Sequence, residues 1–237
     1  MTFIQGFVAA VPTANRDVYR DHAAQALPLF KEFGARRMVE AWGDDVPDGT
    51  VTDFRGAVQA KDDETVVFSW IEYADQAAYD AALAAMRNDP RMEDMAEMPF
   101  DGSRMIFAGF DPLVDEGPGG ATGYVDGFLI PVAPDRKDAF FDLARRAAPV
   151  FLEHGATRVV EAWGDDLPDG KVTDFNRATK VIDGEKVAFS WIEWPSREVR
   201  DAGQAKVMAD PRMQDPGTVP FDGKRMIFGG FLPILDQ

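Results

Sequence analysis

The chain has 237 residues, 46% of them hydrophobic, enough to bury one large core or two small ones. Its 41 acidic residues against 25 basic ones give a net charge of −16; this repels nucleic-acid phosphates and anionic lipid surfaces, so neither nucleic acid nor membrane is expected as a partner. The absence of cysteine excludes disulfides, thiolate nucleophiles and cysteine-ligated metals, and two histidines, His22 and His154, leave little room for imidazole chemistry.

In chain order, the apolar and β-branched stretch Phe3–Val11 predicts a strand. Before it ends there is neither a basic residue (the first is Arg16) nor an apolar run of spanning length, so no leader or membrane span is legible and a cytoplasmic location is expected. Tyr19, Ala23, Ala26, Phe30 and Phe33 then recur at helical spacing and predict one buried stripe. Pro28 falls inside it, so the helix is expected to kink or restart there. Strands follow at Ala35–Trp42 and Thr65–Tyr73, then a helix opened by Asp75 and closed before Asp89-Pro90, then a strand at Arg104–Phe110. This order, β-α-β-β-α-β, is ferredoxin-like.

The same elements recur at an offset of 121. Glu40–Asp45 (EAWGDD) is repeated at Glu161–Asp166, Phe68–Glu72 at Phe189–Glu193, and Pro99–Gly102 at Pro220–Gly223. Pro149 repeats Pro28, and Ser196 replaces Asp75 as the second helix cap. A period this long is a whole domain rather than a solenoid unit. The expected organisation is a first repeat over 1–115, a Gly/Pro linker over 116–123 and a second repeat over 124–237. Strands such as Val66–Ile71 are apolar on both parities, so both sheet faces must be covered, and two helices cover only one. The fold class expected is α+β, two ferredoxin-like repeats packed sheet to sheet as an intrachain pseudo-dimer.

The runs EAWGDDLPDGKVTDF from Glu161, FSWIE from Phe189, AKVMADPRM from Ala205 and PFDGKRMIFGGF from Pro220 make each half similar to the YbaA-like bacterial family, a domain of unknown function in the dimeric α/β-barrel superfamily. The second half is the closer match; the first departs over Ala74–Asn88 and at Ala108, where the second has Gly229. The resemblance implies a covalent version of a homodimer, either a monomeric pseudo-dimer or a weak homodimer of it. It supplies no reaction, and leaves open whether the protein is an enzyme.

Two sets of residues stand out for chemistry. Glu40 with Trp42, and Trp70 with Glu72, share strand parities on neighbouring strands, as do Glu161 with Trp163 and Trp191 with Glu193. A carboxylate beside indoles serves as a desolvated acid or base, or as a ligand anchor, and the bland reading of both is packing and a wet sheet rim. Arg104 and Arg225 follow an Asp-Gly turn and suit an anionic group, with Asp101 and Asp222 as the ordinary partners. The acidic loops Asp44–Phe54 and Asp165–Phe175 fit no calcium-loop spacing and read as turns, so no metal is expected. Ser69 and Ser190 lack a matching histidine base. No cofactor is expected, since neither histidine recurs in the other copy. The leading expectation is a pocket for a small apolar or anionic metabolite lined by these Trp and Glu residues, retained in the second copy; the competing one is a non-catalytic interaction or stress-associated protein without a pocket.

Overall fold

A computed structural model describes residues 2–92, 98–120, 122–182, 184–214 and 219–237. The first repeat comprises β1 (Phe3–Pro12), α1 (Arg16–Glu32), β2 (Arg37–Asp45), α2 (Phe54–Ala57), β3 (Glu64–Tyr73), α3 (Gln76–Asn88) and β4 (Ile106–Glu116). The second comprises β5 (Tyr124–Val132), α4 (Lys137–Glu153), β6 (Arg158–Gly164), α5 (Phe175–Ala178), β7 (Lys186–Trp194), α6 (Arg197–Ala209), α7 (Pro211–Gln214) and β8 (Ile227–Asp236). The eight strands close into one antiparallel barrel in the order β1-β3-β2-β8-β5-β7-β6-β4.

Closure works by exchange of strand ends. β4 pairs with β1 through Phe110, then runs on as Asp111–Glu116 against β6 of the other repeat. β8 does the same, leaving β5 to pair with β2. The fourth strand therefore extends six residues past its sequence-predicted end, and Glu116, assigned to the linker from sequence, is paired with Val159 of β6. A barrel has no unpaired edge, so neither repeat exposes the ladder groups that its own four strands would leave open.

Alternation sorts the side chains. Ile4, Val8 and Ala10 of β1, Val39 and Ala41 of β2, Val66, Phe68 and Trp70 of β3, and Phe110 of β4 face inward with their second-repeat counterparts, in one buried cluster. Phe68 stacks on Phe189 at 4.5 Å and Trp70 on Trp191 at 4.5 Å, pairing equivalent rings across the pseudo-twofold axis; such stacks add roughly 0.5–1.5 kcal/mol each beyond the area they bury. Gly6 makes room for this, because a Cβ there would lie 2.7 Å from the Phe189 ring.

Two elements that the sequence reading missed plug one barrel end. Asp53 caps α2 by accepting from the Gly56 amide, and Asp174 caps α5 at Arg177. Thr52 donates to the Ala178 carbonyl and Thr173 to that of Ala57, tying the two short helices together. Their Phe54 and Phe175 rings meet Phe231 and Phe110 edge to face. The acidic loops thus spend Asp53 and Asp174 on helix capping.

The longer helices lie on the outer surface. α1 and α4 run unbroken through Pro28 and Pro149, against the expected restart. Both prolines are exposed, as are Ala24 and Arg145 one turn earlier, so the carbonyl each proline leaves unpaired is open to water. α1 ends at Gly34, whose φ of +105° lets the Ala35 amide return to the Phe30 carbonyl.

Candidate functional site

The strand register divides the expected residues between two places. Glu40 lies opposite Ser69 on β3, so Glu40 and Trp42 face outward with Ser69, while Trp70 and Glu72 face inward. Parity along each strand is right in the sequence reading; the assumption that the two sets converge is not, because pairing partners rather than spacing decide which faces coincide.

The inward set closes the second barrel end as an ion-pair cluster. Arg37 binds Glu193 through two N–H groups at 2.9 and 3.0 Å and Asp236 through two at 2.8 and 2.9 Å. Arg158 mirrors it on Glu72 at 2.7 and 3.2 Å and on Asp115 at 2.7 and 2.8 Å. The Trp70 indole donates to Glu72 and the Trp191 indole to Glu193. Glu193 has no exposed surface. Burial alone would raise its carboxyl, but the Arg37 hydrogen bonds and charge outweigh that and hold it below the usual range. Every one of these groups is already paired, and the rings between them are stacked solid. Trp70, Trp191, Glu72 and Glu193 therefore build a seal where the sequence reading expected a pocket wall.

Arg104 and Arg225 likewise have full partners. Arg104 grips Glu64 with two bonds at 2.6 and 2.7 Å, Asp101 at 2.9 Å and the Gln59 carbonyl at 2.8 Å. Arg225 repeats this with Glu185, Asp222 and the Lys180 carbonyl. Gln59 and Lys180 have positive φ (49° and 54°), and their carbonyls are what the arginines hold. Trp163 is capped by Phe141 and donates to Asp165, while Trp42 packs beside Tyr19. The tryptophans are packing residues in both repeats.

Glu40 is different. Between α1 and the outer sheet face of the first repeat lies a cavity of about 490 Å3. Its walls are apolar (Phe7, Ala9, Ala26, Phe30, Met38, Met105), and among the described residues its polar groups are Tyr19, His22, Glu40 and Ser69, with neither lysine nor arginine lining it. Glu40 is 6% exposed. Its Oε2 accepts from the Tyr19 hydroxyl at 2.6 Å and from Ser69. Burial raises the Glu40 carboxyl, the two hydroxyls working against it. Tyr19 is pushed well above 10 by burial and then by Glu40, and His22 is lowered by burial. Tyr19, His22 and Ala26 share a face because they are three and four residues apart on α1.

At the equivalent place in the second repeat, Ile130 stands for Ala9, Leu143 for His22 and Phe140 for Tyr19. Ile130 and Phe140 pack with Phe141, Val159 and Ile192 in that repeat's outer core. Glu161 keeps Ser190 but has lost the tyrosine donor, and burial carries its carboxyl to about 7. The cavity beside Glu40 thus lies in the first copy, whereas the sequence reading favoured the second. Sequence places Tyr19 in the buried stripe and gives His22 no role; the signal that raises them is that they change between copies while Glu40 and Ser69 do not. The Ala108/Gly229 difference falls inside the barrel, where a Cβ on Gly229 would sit 3.3 Å from Phe231 and Phe54, and bears on packing.

Both halves match the model of a family described as "Protein of unknown function (DUF1428)", over residues 2–102 and 123–223. The chain belongs to that family. Among curated proteins, this DUF1428 chain is 58% identical over 115 residues to the uncharacterized protein YbaA of Escherichia coli K12, a match spanning 48% of the chain and 98% of YbaA. YbaA therefore corresponds in length to one repeat. Among solved structures, a provisionally named monooxygenase of Fusobacterium nucleatum superposes with a TM-score of 0.62 at 10% identity, covering 100% of this chain and 94% of that one. Another, from Lactobacillus acidophilus, gives 0.60 at 11% identity, covering 99% and 95%. At such identities the likeness is one of fold. Among the described residues, no helix is long and apolar enough to cross a membrane.

Proposed function

We propose that this DUF1428 protein binds a small, largely apolar molecule in the first-repeat cavity beside Glu40. The observation that carries this is the cavity itself, about 490 Å3 in volume, apolar-walled and floored by the buried Glu40 carboxyl. That size and lining are those of small-molecule sites, which are mostly apolar with few, well-placed polar groups. Of the two ligand classes the sequence allowed, the apolar one is favoured: among the described residues a carboxyl and no lysine or arginine faces the space, which disfavours an anion.

The second repeat supplies the test. Ala9→Ile with His22→Leu copies residues that the same fold already carries at 130 and 143, so the double variant should fold with a melting temperature within a few degrees of wild type. Wild type, screened by thermal shift against apolar metabolites, should gain about 5 °C or more with a binder at one hundred times its Kd, and the double variant should gain nothing. Equal shifts in both proteins would overturn the assignment.

A further inference from the structure

The Glu40 carboxyl has an oxygen without a partner among the described residues, and this extends the binding reading, on which it rests, to chemistry. Both hydroxyl donors, Tyr19 and Ser69, bind the same Glu40 atom, Oε2. Oε1 has no hydrogen-bond partner among the described residues, yet no buried side-chain oxygen there is left wholly enclosed without one. Since Glu40 lines the cavity, Oε1 is the atom it presents. A proton on this carboxyl belongs on Oε1, because Oε2 is occupied by two donors. Fixing one oxygen while leaving the other bare, in an apolar space, is the arrangement a proton-transfer base requires. His22 lines the same space, three residues and nearly one turn from Tyr19, and its ring N–H can face an oxygen of the ligand.

We propose that the first repeat catalyses proton transfer on an enolisable apolar ketone, with Glu40 Oε1 as the base. The C–H bond next to the carbonyl breaks and its proton passes to Oε1. The electron pair forms a carbon–carbon double bond and displaces the carbonyl π pair onto oxygen, where the His22 N–H receives the charge. Return of the proton to the same carbon gives exchange, and return to a conjugated carbon gives an isomer. Nothing is oxidised or reduced, and no co-reactant is consumed. Tyr19 and Ser69 are positioning residues, acting through Oε2.

The experiment uses the full chain with 2-tetralone as probe, following loss of its α-proton signals in deuterium oxide by NMR and its binding by saturation transfer. Wild type should bind the probe and exchange its α-protons about a hundredfold faster than buffer, a typical gain from one positioned base. Glu40→Gln, nearly isosteric, should keep saturation transfer and exchange at the buffer rate. Tyr19→Phe, which installs the residue found at 140, should keep binding and lower the exchange rate. Binding with exchange at the buffer rate in wild type, or undiminished exchange in Glu40→Gln, would overturn the catalytic proposal and leave the binding site standing. Saturation transfer that survives Ala9→Ile with His22→Leu would place the probe elsewhere and overturn it too. Absence of probe binding, together with a blank thermal-shift panel, would remove both.

Discussion

Glu40 and Glu161 occupy equivalent strand positions under equivalent helices, and their surroundings set different tasks. With Phe140 in place of the tyrosine, Glu161 has one hydroxyl donor, and burial raises it to about 7 against an ordinary value of 4.5. A folded-state value above the unfolded one means that the native chain holds this proton more tightly. Its contribution to stability is therefore full below about pH 4.5 and is lost as pH rises to about 7. Glu161→Gln removes the titration, so the stability of wild type relative to the variant should fall across that window, by up to about 3 kcal/mol, and stay level above it. Urea unfolding of both proteins at half-unit pH steps measures this. A constant difference between them from pH 4.5 to 7 would be inconsistent with a buried, proton-holding Glu161.

At the scale of elements, the join between repeats is a set of specific backbone requirements. Gly117 has φ of +111°, and a Cβ there would meet the Thr157 carbonyl at 2.4 Å, whereas Gly119, with φ of +67°, has nothing within 4 Å. Gly117→Ala should cost about 2–4 kcal/mol, combining clash with backbone strain, and Gly119→Ala about 1 kcal/mol from strain alone. Chemical denaturation of the two variants tests the ranking; equal losses would mean that the joint has the freedom its composition suggests. Composition did suggest that, because a Gly-Pro-Gly-Gly run shows no trace of the carbonyls it must pass. The strand cores were legible from apolar runs, and the repeat exposed their twofold arrangement. The continuation of β4 to Glu116 was not, since Asp111-Pro112 reads as a break and the pairing that overrides it comes from β6, distant in sequence. α2 and α5 were hidden for a related reason: four-residue helices show no periodicity, and their caps, Asp53 and Asp174, sit in loops rich in turn residues. For the site, Glu40 was legible as a carboxyl on a strand, but the sorting of Glu72 and Glu193 into arginine pairs depends on a register that parity alone does not give.

For the whole molecule, each repeat alone would present the inward face of its sheet, Phe68 and Trp70 or Phe189 and Trp191, to water. Residues 123–237 expressed by themselves should sediment as a homodimer or be unfolded at micromolar concentration, and a folded monomer in analytical ultracentrifugation would contradict the account of closure given above. The stacks on the pseudo-twofold axis carry a further consequence, for how such a chain changes over generations. Phe68 touches its own counterpart, Phe189, and Trp70 touches Trp191, so a change of ring in one copy is felt at once by the same position in the other. The stacked aromatic positions on the axis are therefore coupled between the copies. Ala9 and Ile130, His22 and Leu143, Tyr19 and Phe140 lie in the separate outer layers of the two repeats and share no such stack. The axis couples the two copies where rings stack and leaves Tyr19, His22 and Ala9 uncoupled, and it is there that the residues lining the first-repeat chamber have been replaced in its twin.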